Sequence, residues 1–203
     1  MQSKILSRWT LLIVILTGLA LSLGFIFYFI PKSSIQNGPV PLNEQKKVNS
    51  GLPASPVGRP VHLKIPGINV DAAVESVGLA PDGAMDIPKS QDDVAWFELG
   101  PRPGENGSAV IAGHYGWKNR EPSAFDNLYK LRKGDKLYVE DDKGVVISFV
   151  VRESRRYDPN ADASAVFGSN DGKPHLNLVT CEGVWNKVSK SYSKRLVVFT
   201  DKE

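Results

Sequence analysis

The sequence predicts a mainly β fold, either an antiparallel barrel or a sandwich. From Val61 onward, about eight short apolar runs alternate with turn signals rich in Pro and Gly. Stretches with helical periodicity are few and short. Apolar residues make up 41% of the 203 residues and charged residues 23%, which is the balance of a folded domain and not of a disordered chain. Many short strands bury their apolar faces by closing a sheet or by packing two sheets together.

Eight segments have the composition of strands. In chain order they are VHLKI (61–65), NVDAAVESV (69–77), GAMDIP (83–88), SAVIAGHY (108–115), KLYVED (136–141), VVISFVVRESRRY (145–157), HLNLVTC (175–181) and RLVVFT (195–200). The sequence Asp142-Lys143-Gly144 predicts a hairpin turn between the fifth and sixth segments. Short helices are expected around residues 92–99, 123–130 and 161–167.

The N-terminal region predicts a membrane anchor. Residues 11–30 carry no charge, and at about 1.5 Å per residue they match the roughly 30 Å hydrocarbon core of a bilayer. The run is longer than the apolar part of a secretory signal and lacks an A-x-A cleavage pattern, so we expect it to stay uncleaved. Lys4 and Arg8 place the N-terminus in the cytoplasm by the positive-inside bias.

Four regions follow from this interpretation. Residues 1–10 are expected to be cytoplasmic, and residues 11–30 to span the membrane once. Residues 31–60, rich in Pro, Ser and Asn, are expected to form a flexible linker because they have few large apolar groups to bury. Residues 61–203 are then an extracellular domain at the cell surface.

Charge and cysteine usage exclude several classes of protein. The formal net charge is +3, and without Lys4 and Arg8 the 25 basic residues become 23 against 22 acidic ones. A nearly neutral domain does not predict nucleic-acid binding. One cysteine cannot form a disulfide within the chain, and the three histidines are scattered. The acidic clusters lack calcium-ligand spacing, so we expect neither a metal nor a cofactor.

Three residues have the chemistry and placement of a nucleophilic site. His114 and Cys181 each end an apolar run, and Arg195 opens the last one. Side chains at the ends of separate strands can converge on one cleft. A nearby imidazole or guanidinium favours the thiolate, and an arginine can stabilise the oxyanion that forms when a carbonyl is attacked. Taken singly, however, a lone cysteine is more often a buried structural residue, a histidine is usually structural or exposed, and the arginine could simply form an ion pair.

The motifs around these residues resemble those of sortases. Leu178-Val179-Thr180-Cys181 is similar to the Leu-x-Thr-Cys motif of that family, and residues 109–114 look like the strand that carries its histidine. Arg195 follows the cysteine at a similar distance, and the resemblance covers about residues 61–200. The segments most similar to class F, with class D next, are Trp96-Phe97, Pro101-Arg102-Pro103-Gly104 and Arg132-Lys133-Gly134-Asp135.

The resemblance implies a closed eight-stranded barrel and a cysteine transpeptidase. Such enzymes cleave a sorting signal of Leu-Pro-x-Thr-Gly type between Thr and Gly and pass the acyl group to an amine on a peptidoglycan precursor or a pilin. Carried over, Cys181 is the nucleophile, His114 the general acid and base, and Arg195 the oxyanion contact. Thr180 matches a position that helps to place the substrate or the oxyanion. Asn177 stands where many sortases have Thr.

Strand periodicity adds two candidate substrate contacts. Residues two apart share a face, so Ala112 is expected beside His114 and Val179 beside Cys181, either lining a peptide groove or packing in the core. Residues 182–194 are expected to form a loop. Lysines 187, 190 and 194 in this loop either influence the choice of substrate or acceptor, or are simply solvated.

Two other functions compete with the transpeptidase. An L,D-transpeptidase typically has Gly before its cysteine and Arg two residues after it, whereas here Thr180 and Gly183 occupy those positions. A non-catalytic surface β-domain that binds peptide or wall polymer would not need the thiol at all.

Overall fold

Eight strands of the described residues form one closed barrel. The structure is a computed structural model, and it describes residues 56–116 and 122–203. The strands are β1 (Pro60–Ile65), β2 (Val70–Val77), β3 (Val94–Phe97), β4 (Gly107–Gly113), β5 (Lys136–Asp141), β6 (Val146–Tyr157), β7 (Pro174–Asn186) and β8 (Ser191–Lys202). Their order around the barrel is β1-β2-β3-β4-β7-β8-β6-β5. The mainly β class and the eight-stranded barrel are therefore confirmed.

The sheet is mixed, and not antiparallel throughout as the sequence predicted. β2 pairs with β3 in parallel, and β4 pairs with β7 in parallel. Parallel neighbours need a long crossover connection. The segment between β2 and β3 supplies the first crossover, and the second passes through β5 and β6. The second crossover brings the end of β4 beside the middle of β7.

The strands β4, β7 and β8 are buried on both faces over part of their length. Inside the barrel lies the main apolar core, which includes Ile111, Leu178 and Val198. A second apolar cluster covers the outer face of the same strands and consists of Val110, Val166, Val197 and Phe199. Val166 belongs to helix α1 (Ser164–Phe167), which lies in the connection between β6 and β7. These buried stretches lead directly to His114 after β4, to Cys181 within β7 and to Arg195 within β8.

Two sequence predictions near β3 were wrong. Residues 92–99, predicted as a helix, contain β3, and Val94, Ala95 and Trp96 are buried between β2 and β4. A four-residue apolar run carries too little periodicity to distinguish a strand from a helix. Residues 83–88, predicted as a strand, form a loop with one isolated bridge from Leu79 to Met85. Gly83 begins this segment in the left-handed region at φ 83°, which breaks an extended strand.

The remaining short elements differ from the sequence predictions mainly in extent. Within residues 123–130, the helical part is one 3₁₀ turn, Leu128–Lys130. Within residues 161–167, α1 occupies only Ser164–Phe167. The prediction of a loop over residues 182–194 was wrong, because β7 continues to Asn186 and β8 begins at Ser191. Cys181 therefore lies inside a strand, at the base of a long hairpin, and not at a strand end.

The segment before β1 is bonded to the barrel. The Asp141 carboxylate accepts backbone N–H bonds from Gly58 at 2.8 Å, and from Lys143 and Val145 at 2.9 Å each. Burial raises the pKa of Asp141, but these donors lower it by more, so the group titrates below its ordinary range. The rest of the predicted linker, the anchor at 11–30 and the N-terminal residues 1–10 lie outside the described residues. In the part of the chain that the structure describes, no helix is long and apolar enough to cross a membrane.

Gly113, the last residue of β4, packs directly against a buried ring. A Cβ at this position would lie 2.5 Å from Cδ2 of Phe125, whose side chain is fully buried. Because the ring cannot move away, we expect Gly113→Ala to lower the free energy of unfolding by about 1–3 kcal/mol. Urea unfolding measures this change. Gly78→Ala is the matched control, since a Cβ at Gly78 would have no atom within 4 Å; equal effects of the two substitutions would contradict the expectation.

Candidate active site

Three neighbouring strands bring His114, Cys181 and Arg195 to the same level of the barrel. β7 lies between β4 and β8. Cys181 is directly opposite Arg195 in the β7–β8 ladder. In the β4–β7 ladder Ala112 is opposite Val179, and continuing that register by two residues places His114 level with Cys181. Adjacent strands are about 4.8 Å apart, so the three side chains lie side by side.

One cleft of about 650 Å³ contains all the site residues that the sequence predicted. Those residues are Ala112, His114, Val179, Thr180, Cys181 and Arg195. Most of the lining is apolar. An apolar cleft with a few convergent polar groups is the usual form of a small-molecule or peptide site.

The loop between β2 and β3 holds the His114 ring. The Nε2 atom of His114 lies 2.8 Å from the carbonyl oxygen of Pro88. Since a carbonyl can only accept, Nε2 carries the hydrogen of this bond, and in the neutral ring Nδ1 is the remaining acceptor. The bond therefore fixes the tautomer of the imidazole and leaves Nδ1 to exchange a proton.

The Cys181 thiol is partly buried and carries no disulfide. Burial raises its pKa, and the positive charge of Arg195 lowers it by a smaller amount, so the pKa stays above the ordinary thiol value. We therefore expect the thiol to be protonated at neutral pH when no substrate is bound. Because the pKa of the thiol is higher in the folded chain than in the unfolded chain, the unfolded chain loses this proton at lower pH. The contribution of Cys181 to the free energy of unfolding is therefore lost as the pH becomes alkaline.

Alkylation of the chain's one cysteine tests this protonation state. We expect the rate of reaction with iodoacetamide to be low at pH 7 and to rise through the alkaline range, with an apparent pKa above the value of about 8.5 for a free thiol. The same chain unfolded in urea provides the reference curve. A plateau below pH 8 would show instead that the resting site holds a thiolate.

The Arg195 guanidinium is bonded to the β7–β8 hairpin. Its Nη1 donates to the carbonyl oxygens of Tyr192 and Lys194, at 3.1 Å each. Its Nη2 donates to Oγ of Ser191 at 3.1 Å. A guanidinium has five N–H donors, so these three bonds leave the Nε hydrogen and one Nη2 hydrogen for a ligand in the cleft.

Thr180 contributes to the site through the backbone of β4. Its hydroxyl donates to the carbonyl oxygen of Gly113 at 2.7 Å, and the side chain is buried. This bond joins β7 to β4 next to His114. Ala112 and Val179 are half-buried and line the cleft beside the three polar residues.

The acidic residue directly after Cys181 is paired with a basic residue on the other side of the strand. Glu182 accepts two bonds from Arg156 on β6, at 2.6 and 2.9 Å. Successive side chains on a strand point to opposite faces. The carboxylate is therefore paired with Arg156 and directed away from the face that Cys181 shares with Arg195.

Sequence reasoning missed the aromatic wall of the cleft. Tyr192 packs edge-on against Tyr115, with ring centroids 5.2 Å apart, and against Trp185, with centroids 5.0 Å apart. All three line the cleft. Tyr115 follows His114 in the sequence, so its presence could have been inferred. Trp185 and Tyr192 pair across the β7–β8 hairpin, where the sequence predicted a loop. No local signal identifies Pro88, because its contact spans 26 residues.

A second cavity of about 490 Å³ adjoins the cleft. Met85, Phe167, Val179 and Arg195 line both spaces, so they are neighbours along one surface. The β6–β7 connection and α1 form much of the second cavity's wall. Asn177 helps to hold α1 in place, because its Nδ2 donates to the carbonyl oxygen of Val166 at 2.6 Å. Among residues 56–116 and 122–203, no group of three His, Cys, Asp or Glu side chains could hold a metal ion.

A sortase domain model matches residues 63–203, which include every site residue described above. The chain belongs to the sortase family. Family membership supports a cysteine transpeptidase that acts on proteins bearing sorting signals and on amine acceptors.

Solved sortases share the fold at low sequence identity. Sortase C-1 from Actinomyces oris is 23% identical with a TM-score of 0.57, over 70% of this chain and 72% of its own. Sortase C1 from Streptococcus agalactiae, in complex with MTSET, is 26% identical with a TM-score of 0.55, over 70% of this chain and 66% of its own. A Clostridium perfringens sortase D5 transpeptidase is 24% identical with a TM-score of 0.53, over 72% and 79%. No curated protein matches the chain.

Proposed function

We propose that this chain is a membrane-anchored transpeptidase that cleaves a Leu-Pro-x-Thr-Gly-like sorting signal through a thioester on Cys181. The observation that carries the proposal is that His114, directly after β4, lies around one cleft with Cys181 on β7 and Arg195 on β8. A nucleophile, a base and a cationic donor in one cleft are the groups that acyl transfer requires.

The first step forms the acyl-enzyme. As the substrate carbonyl approaches, the thiol proton passes to Nδ1 of His114 and the sulfur attacks the Thr carbonyl carbon. The two unengaged N–H donors of Arg195 stabilise the oxyanion. When the tetrahedral intermediate collapses, the Thr–Gly C–N bond breaks and the imidazolium gives its proton to the leaving Gly amine. The remaining product is a thioester between Cys181 and the Thr carbonyl.

The second step transfers the acyl group. An amine on a peptidoglycan precursor or a pilin attacks the thioester carbonyl, and His114 takes up the proton that the amine loses. The carbon–sulfur bond breaks, a new amide forms, and the proton returns to the sulfur. Neither step requires a redox change, a metal or a cofactor.

The adjoining cavity suits the apolar part of the signal. Its lining is largely apolar, and Val179 belongs to both the cleft and the cavity. A peptide with Thr at Cys181 would extend its Leu-Pro portion along Val179 and Ala112 toward Phe167. Thr180 would support this peptide indirectly, by holding β7 against the end of β4.

Class and location are further parts of the proposal. The class F assignment, with class D as the alternative, depends on Trp96-Phe97, residues 101–104 and residues 132–135. Anchoring depends on the uncharged run 11–30, with Lys4 and Arg8 keeping the N-terminus in the cytoplasm and residues 61–203 at the cell surface.

A quenched peptide library tests the function. The full chain in detergent micelles is incubated with Leu-Pro-x-Thr-Gly peptides and an amine acceptor, and the products are identified by mass. We expect cleavage between Thr and Gly, a thioester on Cys181 and amine-dependent transfer. Cleavage at another bond would reject the sorting-signal assignment. Binding of peptide or wall polymer without any adduct would favour the non-catalytic β-domain.

A further inference from the structure

The side chain of Ser191 accepts one of the three hydrogen bonds that hold the Arg195 guanidinium. Two of the three acceptors for the guanidinium are backbone carbonyls of Tyr192 and Lys194, which any sequence would supply. The third is the hydroxyl oxygen of Ser191, four residues before Arg195 on the same strand. Of the described acceptors, it alone depends on the identity of a side chain.

Ser191 also lies where the hairpin turns. It is the first residue of β8 and pairs with Asn186, the last residue of β7. At the other end of the same ladder, Cys181 pairs with Arg195. The bond from Arg195 to Ser191 therefore runs along β8 from the level of the thiol toward the turn of the hairpin. The position of the guanidinium depends on how this hairpin is folded.

The hydrogen-bond geometry explains why the bond to Ser191 matters for the orientation of Arg195. Nη1 is fully used by its two carbonyl partners, so the Ser191 bond fixes Nη2. Once Nη2 is fixed, its second hydrogen and the Nε hydrogen have defined directions. Donors that are already oriented before the reaction stabilise a developing oxyanion more than donors that must first be ordered.

We propose that Ser191 is a positioning residue that orients the Arg195 guanidinium beside Cys181, so that the fold of the β7–β8 hairpin controls the oxyanion donor. This inference rests on the proposed role of Arg195. Ser191 touches no reacting atom; it acts through the arginine.

Four variants of the full chain in detergent micelles separate this role from general support of the hairpin. Ser191→Ala removes the hydroxyl, whereas Ser191→Thr keeps it. Ser191→Val has nearly the shape of the Thr variant but lacks the acceptor oxygen. Ser193→Ala is the matched control, because the Ser193 hydroxyl also supports the hairpin, accepting a bond from the Val184 backbone at 3.0 Å, but has no described bond to Arg195.

The first measurement is steady-state turnover of the peptide cleaved best by the wild type. We expect Ser191→Ala and Ser191→Val to lower kcat/KM by roughly tenfold, mainly through kcat, because the lost orientation matters most in the transition state. Ser191→Thr and Ser193→Ala should stay near the wild type. Thermal melting curves identify any variant that fails to fold. If Ser191→Ala fails to fold, the comparison of Ser191→Thr with Ser191→Val still tests the proposal.

The second measurement needs no peptide, so it stands even if the proposed function fails. The positive charge of Arg195 lowers the pKa of the Cys181 thiol. The other titratable groups that line the cleft are Asp86, His114, Tyr115 and Tyr192. If Ser191 holds the charge of Arg195 in place, the apparent pKa of the Cys181 thiol, measured by iodoacetamide alkylation, should shift upward in Ser191→Ala and Ser191→Val only. Unchanged turnover and alkylation curves in both variants would overturn the proposal, and so would equal changes in Ser193→Ala.

Discussion

Cys181→Ala is expected to abolish both peptide cleavage and adduct formation, with turnover falling by more than about a thousandfold. The proposed reaction passes through a covalent bond to this sulfur, and the chain has no second cysteine to replace it. The substitution removes one partly buried atom from a cleft whose walls come from several other elements. Peptide affinity should therefore change little.

The measurements are peptide turnover, intact mass after incubation with substrate, and peptide binding by fluorescence anisotropy. Cys181→Ser serves as the matched variant, because its hydroxyl preserves the shape of the thiol but is a poorer nucleophile. Activity of Cys181→Ala close to the wild-type level would reject the thioester mechanism. Such a result would favour the alternative of a non-catalytic surface β-domain, which does not need the thiol.

Arg195→Lys is the second large expected loss, about 100- to 1000-fold in kcat/KM. The positive charge would remain, but an ammonium cannot make the three bonds to the hairpin and still direct two donors into the cleft. The loss should appear mainly in kcat, since the oxyanion exists only along the reaction path.

Arg155→Lys is the matched control for this change. Arg155 lies on β6 and is exposed, and it pairs with Glu153 outside the cleft, so its replacement should leave turnover unchanged. Wild-type turnover in Arg195→Lys would remove Arg195 from the mechanism. It would also remove the proposed role of Ser191, because that role is to orient Arg195.

The sequence predicted local patterns well. Seven of the eight strand candidates correspond to strands, because alternation and turn residues are encoded within a few neighbours. The residue types of His114, Cys181 and Arg195, and the motifs next to them in the chain, predicted that they form one site. The structure adds that they share one cleft.

What the sequence did not predict depends on distant contacts. β3 is a strand because β2 and β4 supply its hydrogen bonds from either side. The polar residues 182–194 form a hairpin because each half completes the ladder of the other. The Pro88 contact to His114 and the Ser191 contact to Arg195 are single hydrogen bonds with no pattern of their own.

The parallel pairing of β4 with β7 also constrains the order in which the site can come into existence. β5 and β6 lie between β4 and β7 in the chain, so the pairing that brings His114 level with Cys181 joins distant segments. Pairings between distant strands form late and slowly in folding. The β7–β8 hairpin is local and can place Arg195 opposite Cys181 by itself, whereas His114 reaches the level of the thiol only when β4 and β7 pair. The proposed acyl transfer, which needs all three residues, would therefore require the closed barrel.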